Sequence, residues 1–377
     1  MKIRNNFNLQ AKPSLLGFGC MRFPTYKDAE GNYKIDYPLT EEMIKYALEK
    51  GVNYIDTAYP YHNGESEIVV GKIMKKYPRD SFFLATKLPM WKVDSKESVR
   101  NIFNEQLEKL QMDYVDFYLL HALDRGRFDK VIEYEVIQEC LKLKEEGKIK
   151  YLGFSFHDDY EVFERIINHY DWDFCQIQFN YMDTEEQAGL KGLKLAGEKK
   201  IPVVIMEPIK GGSLANLSDD VNQVFKSYDN NASAASWALR YVASFPEVMT
   251  VLSGMSNFEQ VKDNINTFTD FKELNEEENE LVVKVKDLIN SKIKSRCTGC
   301  EYCMPCPRGV NIPRAFRTWN VWSMYNKGES FINQYKNGIK ETGSPLNCIA
   351  CGKCEKLCPQ KISIIEDLKK VATDFKL

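Results

Sequence analysis

The sequence predicts an α/β protein: a (β/α)8 TIM barrel followed by a small, mostly α-helical, cysteine-rich domain. Three observations carry this. Eight short apolar runs alternate with helix-patterned segments between residue 14 and about residue 270. The first run leads into "GFGCMRFP", which is no glycine-rich phosphate loop, and that disfavours an open doubly wound sheet. Eight of the eleven cysteines fall in residues 297–377.

The runs are "SLLGFGC" (14–20), "NYIDTA" (53–58), "SFFLATKL" (81–88), "VDFYLLHA" (115–122), "IKYLGFSF" (149–156), "DFCQIQFNY" (173–181), "IPVVIME" (201–207) and "VMTVLSG" (248–254). Each is rich in β-branched or aromatic residues, as parallel strands covered on both faces are. Helical segments fill the gaps. "TEEMIKYALEKG" offers Thr40 as a cap, acids in its first turn and a stop at Gly51. "SKESVRNIFNEQLEKLQ" and "YEVIQECLKLKEEGK" repeat the helical period, while "HALDRGRFDK" reads as a substrate loop in which Arg125 and Arg127 face solvent, with contact to an acidic substrate as the alternative. Eight strand–helix units in about 250 residues close most naturally into a barrel. Residues 272–294 read as a charged linker helix, and aromatic-rich helices separate the two cysteine runs. The expected domains are therefore 1–271, 272–294 and 295–377.

Composition excludes several classes. Hydrophobic residues make up 44% and charged residues 28%, and the net charge is −3, which exerts no pull toward nucleic acid or anionic membrane. No apolar stretch is long enough to span a bilayer, and "MKIRNNFNLQ" lacks the apolar core of a signal peptide. A cytoplasmic protein without nucleic-acid or membrane partners is expected. Cys20, Cys140 and Cys175 sit in apolar surroundings and read as buried, inert thiols.

Barrel sites lie at the C-terminal ends of strands. There the sequence offers Asp56, Tyr61 in the following loop, Lys87 and His121. A phenol is a poor acid at neutral pH. An adjacent ammonium favours phenolate, so Lys87 is expected to strengthen Tyr61 as a general acid, with Asp56 holding Lys87 and His121 orienting a carbonyl oxygen.

"GVNYIDTAYPYHNGESEIVVGKIM", "LATKL", "YLLHAL" and "YLGFSF" resemble aldo-keto reductase signatures, and the resemblance spans residues 14 to about 270. It implies that Asp56, Tyr61, Lys87 and His121 form a catalytic tetrad reducing a small-molecule carbonyl, or oxidising an alcohol, with NAD(P)H. Ser155 and Gln176 fall at the family's carboxamide-binding positions, although Phe156 and His157 follow Ser155 where Asn is usual. Met206 stands in place of the stacking Tyr. In "SGMSNFEQVKDN", from Ser253 to Asn264, Gly254 and Gln260 align with the Lys and Arg that commonly clasp a 2′-phosphate. A neutral Gln cannot replace a guanidinium fork, unless Lys262 compensates. The loops with Gly211, Gly212 and Ser253 would equally suit the phosphate of FMN. NADH, NADPH and FMN stay open.

The second cysteine run, Cys348, Cys351, Cys354, Cys358 and Pro359, has the C-x2-C-x2-C-x3-C-P spacing of bacterial ferredoxins. The first, Cys297, Cys300, Cys303, Cys306 and Pro307, differs by one residue in its last gap. By analogy Cys297, Cys300 and Cys303 pair with Cys358, and Cys348, Cys351 and Cys354 with Cys306, around two [4Fe-4S] clusters. Zinc ribbons use two separated pairs instead. The chain thus resembles the iron–sulfur-containing aldo-keto reductases with a C-terminal ferredoxin-like domain. Clusters move single electrons and nicotinamide moves hydride. The chain is therefore read as a carbonyl reductase, with two alternatives. One is a flavin-dependent or ferredoxin-coupled reductase served by a ferredoxin or flavodoxin partner. The other is a non-catalytic electron-transfer module.

Overall fold

The computed structural model describes residues 1–339 and 343–377. They form two compact units, one of Met1–Gly211 with Ala235–Asn279 and the other of Gly212–Ala234 with Glu280–Leu377.

The first unit is the barrel. Its strands are β1 (Leu16–Gly19), β2 (Tyr54–Asp56), β3 (Phe83–Leu88), β4 (Val115–Leu123), β5 (Ile149–Phe156), β6 (Phe174–Gln178), β7 (Val203–Met206) and β8 (Val248–Gly254). Each pairs in parallel with the next, and β8 closes on β1, so all eight expected runs are strands of one closed sheet. Register places the polar strand ends on a common level. Asp56 lies beside Gly19 and Ala85, Ser155 beside Gln176, and Gly254 beside Gly19.

Local chemistry sets the helix starts. The first long helix, Tyr37–Glu49, begins three residues before the expected cap. Asp36 accepts from the Leu39 N–H and Pro38 pre-sets the first turn, which leaves Thr40 buried inside it. Ser95 caps Lys96–Leu110 as a capping box with Ser98. Asp124 likewise turns the segment expected as a loop into the helix Arg125–Glu133. A short antiparallel hairpin, Thr25–Lys27 with Tyr33–Ile35, follows β1.

The barrel interior is filled by aromatic rings. Phe117 meets Tyr54, Tyr151 and Phe174, each with ring centroids 5.0 Å away. At Gly153 an added Cβ would fall 2.5 Å from the Phe174 carbonyl oxygen, so glycine is required for β5 and β6 to approach. Arg4 donates to the carbonyls of Ala243, Phe245 and Val248, tying the N-terminal segment beneath β8. Cys20, Cys140 and Cys175 are buried, and burial pushes each thiol up, as expected of inert cysteines.

In the second unit the helices Ile312–Met324, Glu329–Gly338 and Ile364–Asp374 enclose Phe316, Trp319, Tyr335, Leu368 and Phe375. Trp319 Nε1 donates to Asp374 Oδ2 at 2.8 Å. Six of the eight cysteines pack against this small core, all but Cys300 and Cys351. Residues 212–234 group with this unit, although the sequence reading places them in the barrel. Within the stretch read as a linker, the helix is Glu276–Ser291. Among the described residues no helix is long and apolar enough to cross a membrane.

Phe117→Ala removes the ring on which four others, those of Tyr54, Phe83, Tyr151 and Phe174, converge. It should cost about 3–5 kcal/mol, read as a lower urea midpoint with an unchanged slope.

Candidate functional site

The three strands that carry Asp56, Lys87 and His121 bring them to one rim, and the turn after β2 delivers Tyr61. Lys87 is the centre. Its Nζ donates to Asp56 Oδ1 at 2.7 Å, to the Thr57 carbonyl at 2.8 Å and to the Tyr61 hydroxyl at 3.3 Å. Lys87 and Asp56 are buried, while Tyr61 is partly open. After Tyr61 the chain runs left-handed through His62, Asn63 and Gly64, with φ of 51°, 56° and 90°; this sharp reversal presents the phenol to the rim. A register irregularity between Leu120 and Leu123, with Ala122 at φ 52°, turns the end of β4 so that the His121 ring meets the Tyr61 ring edge-on at 6.3 Å. Asp56 Oδ2 and His121 Nδ1 are buried without a hydrogen-bond partner, the kind of orphaned polar atom that marks a ligand site.

Electrostatics refine the expected roles. Burial pushes the Asp56 carboxyl up, opposed by Lys87. For Lys87 burial acts downward, but Asp56 and Tyr61 outweigh it and the ammonium is raised. Burial raises Tyr61, and Lys87 pulls it only part of the way back, so the phenol ends above its ordinary value of 10.0. Lys87 thus acts on Tyr61 in the expected direction, toward phenolate, without offsetting burial in full. Desolvation outweighs the neighbouring charge. His121 is driven well below 6.5 by burial, then by Lys87, His157 and Arg127, and is neutral at pH 7.

Sequence reasoning missed the support behind Lys87. Gln106 Nε2 donates to the Lys87 carbonyl at 3.0 Å and to Glu67 Oε1 at 2.7 Å; Thr86 also donates to Glu67 at 2.7 Å, and Tyr118 donates to Gln106 Oε1 at 2.8 Å. All four are buried. Glu67 lies in the quoted "GESE" segment, which was the available signal. Trp91, partly exposed, forms a wall 5.1 Å from His121. Arg127 donates to the Ala122 carbonyl at 2.7 Å and pairs with Asp124, so it props the end of β4 instead of simply facing solvent.

The candidate cofactor residues divide by what they already hold. Ser155 Oγ accepts from the Ala122 N–H at 2.7 Å. Gln176 donates to Met206 Sδ at 3.4 Å, and its buried Oε1 has no partner. Asn264 donates to Ser253 Oγ at 2.8 Å. Gln260 caps the loop after β8, accepting from the Ser256 N–H at 2.7 Å, and Lys262 lies over the Phe258 ring at 4.8 Å. Lys210 is committed to Asp183 at 2.6 Å. The unforeseen cation is Arg22. A Cβ on Gly254 would fall 2.6 Å from its Cγ, and one on Gly211 4.0 Å from its Nη2, so Arg22 runs between the two loops. Ser256 Oγ donates to the Arg22 carbonyl at 2.9 Å. Arg22 stands in the quoted "GFGCMRFP", which sequence reasoning tested only for glycines. Gly212 belongs to the second unit.

In the second unit the cysteines ring two recesses. Cys297, Cys300, Cys303 and Cys358 line one. Cys306, Cys348, Cys351 and Cys354 line the other, with Cys303 between them. Among the described residues no three His, Cys, Asp or Glu side chains gather as ligands of one bare ion.

Residues 15–287 match the family described as "Aldo/keto reductase family", and residues 296–363 match a "4Fe-4S dicluster domain". The chain is 28% identical to L-galactose dehydrogenase of Arabidopsis thaliana over 299 residues, covering 73% of this chain and 90% of that one. It is 25% identical to the NADH-specific methylglyoxal reductase of Escherichia coli over 277 residues, 62% and 84% of the two chains. A solved aldo-keto reductase from Bacillus halodurans, in its holo form, superposes with a TM-score of 0.64 at 27% identity, over 76% of this chain and 96% of that one. With its barrel matched from the first strand onward, the chain belongs to the aldo/keto reductase family and carries a 4Fe-4S domain behind it.

Proposed function

We propose that the barrel reduces a small-molecule carbonyl, or oxidises the corresponding alcohol, with Tyr61 as general acid, and that the cysteine domain holds two [4Fe-4S] clusters. The Tyr61–Lys87–Asp56 hydrogen-bond chain beside a neutral His121 carries this reading. When bound, nicotinamide supplies hydride to the carbonyl carbon. Tyr61 gives its proton to the carbonyl oxygen, and Lys87, already bonded to the phenol oxygen, stabilises the phenolate that remains. Asp56 keeps Lys87 charged. Neutral His121 orients the same oxygen, and Trp91 walls the substrate side.

The free Gln176 Oε1 suits the amide of nicotinamide. Arg22 suits a cofactor phosphate held by the loops after β7 and β8. With Gln260 neutral and committed, NADH fits this rim better than NADPH, in keeping with the NADH-specific relative.

The two cysteine sets suit one cluster each, Cys297, Cys300, Cys303 and Cys358 around the first and Cys306, Cys348, Cys351 and Cys354 around the second. Bound clusters would exchange single electrons with a ferredoxin or flavodoxin, which favours a ferredoxin-coupled reductase as the second reading. Iron and sulfide counts on anaerobically purified protein decide the cluster proposal. About eight of each supports it, and zinc in place of iron overturns it.

Tyr61→Phe should lower carbonyl reduction by about 10^2–10^4-fold while NADH still binds, measured as kcat and by fluorescence titration. Arg22→Ala should raise the Kd for NADH about tenfold, the scale of a lost charge-assisted hydrogen bond. The pH profile follows from the two shifted groups. Tyr61, raised above 10.0, stays protonated through neutral and mildly alkaline pH, and His121, lowered well below 6.5, stays neutral down to acid pH. Reduction should therefore hold a plateau from well below pH 6.5 to about pH 9, without an inflection at the ordinary histidine value.

A further inference from the structure

The rims of the two cysteine recesses differ in charge. Among the described residues, Arg308 and Lys353 are the only charged ones lining the recess of Cys306, Cys348, Cys351 and Cys354, whereas Glu301 is the only one lining the other. Both cations are exposed. Neither has an ion-pair partner among the described residues. Ile349 shares their rim and is 59% exposed, and Leu346, just upstream, is 62% exposed. Cys351 is exposed as well. The whole region leans the same way. Residues 295–377 hold thirteen Lys and Arg against seven Asp and Glu, in a chain whose net charge is −3.

We propose that the Arg308–Ile349–Lys353 rim is the docking face for a small acidic protein that carries one electron at a time, and that the cluster held by Cys306, Cys348, Cys351 and Cys354 is the one it meets. This rests on the reading of those cysteines as ligands of a redox-active cluster. The exchange is balanced without bonds made or broken: the reduced carrier loses one electron, the cluster core gains it, and no proton moves. A cluster with four thiolates is itself anionic and would repel an acidic carrier. Two exposed cations at its mouth offset that repulsion and steer the encounter. Ile349 and Leu346 supply the apolar contact that remains at short range. Such an arrangement suits the small, transient interfaces of redox partners. A nucleic acid would need many cations along a track, and apolar side chains would offer it little.

The test uses the full-length, anaerobically purified holoprotein, with an acidic ferredoxin as probe. Kd is measured calorimetrically with both partners oxidised, at low and high salt, for the native chain and for Arg308→Glu/Lys353→Glu. Iron content is checked to show that the clusters stay in place. The proposal expects Kd to weaken about tenfold with salt and about tenfold in the double variant, with stopped-flow cluster reduction by the ferredoxin slowing in parallel. Bleaching by dithionite should stay unchanged. Salt-independent binding of the native chain, or a variant that binds as tightly, overturns the docking face. Equal binding of a DNA duplex that competes with the ferredoxin overturns it in favour of a general polyanion surface. Failure of dithionite to bleach the clusters overturns the redox reading itself, and this result is distinct from a lost docking face.

Discussion

The candidate site, and the chemistry proposed for it, depends on one buried ion pair, Lys87 with Asp56 at 2.7 Å. Neither charge would be tolerated alone in a site this dry, since desolvating an unpaired ion costs several kcal/mol. Their attraction keeps Lys87 protonated, and a protonated lysine is what the phenol of Tyr61 needs beside it. The fold fixes the pair twice over. Parallel pairing of β2 with β3 sets the separation of Asp56 and Lys87, and the Thr57 carbonyl takes a further Lys87 proton. Behind them Gln106, Glu67, Thr86 and Tyr118 hold the β3 backbone at Lys87 itself.

The direction of the Tyr61 shift explains what Lys87 is for. Burial alone would make the phenol a reluctant acid, and the ammonium only moderates this in the resting state. A proton donor raised above neutrality is always loaded before substrate arrives. In the proposed reduction the ammonium would act when the proton leaves, because its hydrogen bond would then face a full phenolate charge in a low-dielectric rim. That interaction is stronger late in the reaction than early, and only such differential stabilisation raises kcat.

Strands were legible in the sequence because a strand covered on both faces must be a continuous apolar run, as at 115–122 and 149–156. The rim residues were legible because polar side chains at the ends of such runs are expensive and therefore conspicuous. Helix starts were less so. Thr40 and Asp36 are both good caps, and the choice was made by Pro38, whose fixed φ suits a first turn. The role of Arg22 was hidden for a different reason: its contacts are with loops after β7 and β8, about 190 or more residues away in sequence, and only barrel closure brings β1 beside β8. Gln106 was hidden likewise, as a polar residue inside a helix whose partners lie on β3 and on the helix carrying Glu67.

The cysteine spacing was legible because three thiols at successive two-residue gaps can meet one cluster only if the chain wraps it, whatever surrounds them. The asymmetry of the two recesses was not, since Arg308 and Lys353 are 45 residues apart and flank different runs. Their convergence gives the two proposed clusters different surroundings, one mouth bordered by cations and the other by Glu301. Nearby charge shifts the potential at which a cluster accepts an electron, and a cationic mouth favours the reduced, more anionic form. The cluster at Cys351 would then be the easier of the two to fill. Two clusters that each take one electron hold between them the electron count of a single hydride, which is a physical reason for a hydride-transferring barrel to be joined to a domain with two such sites.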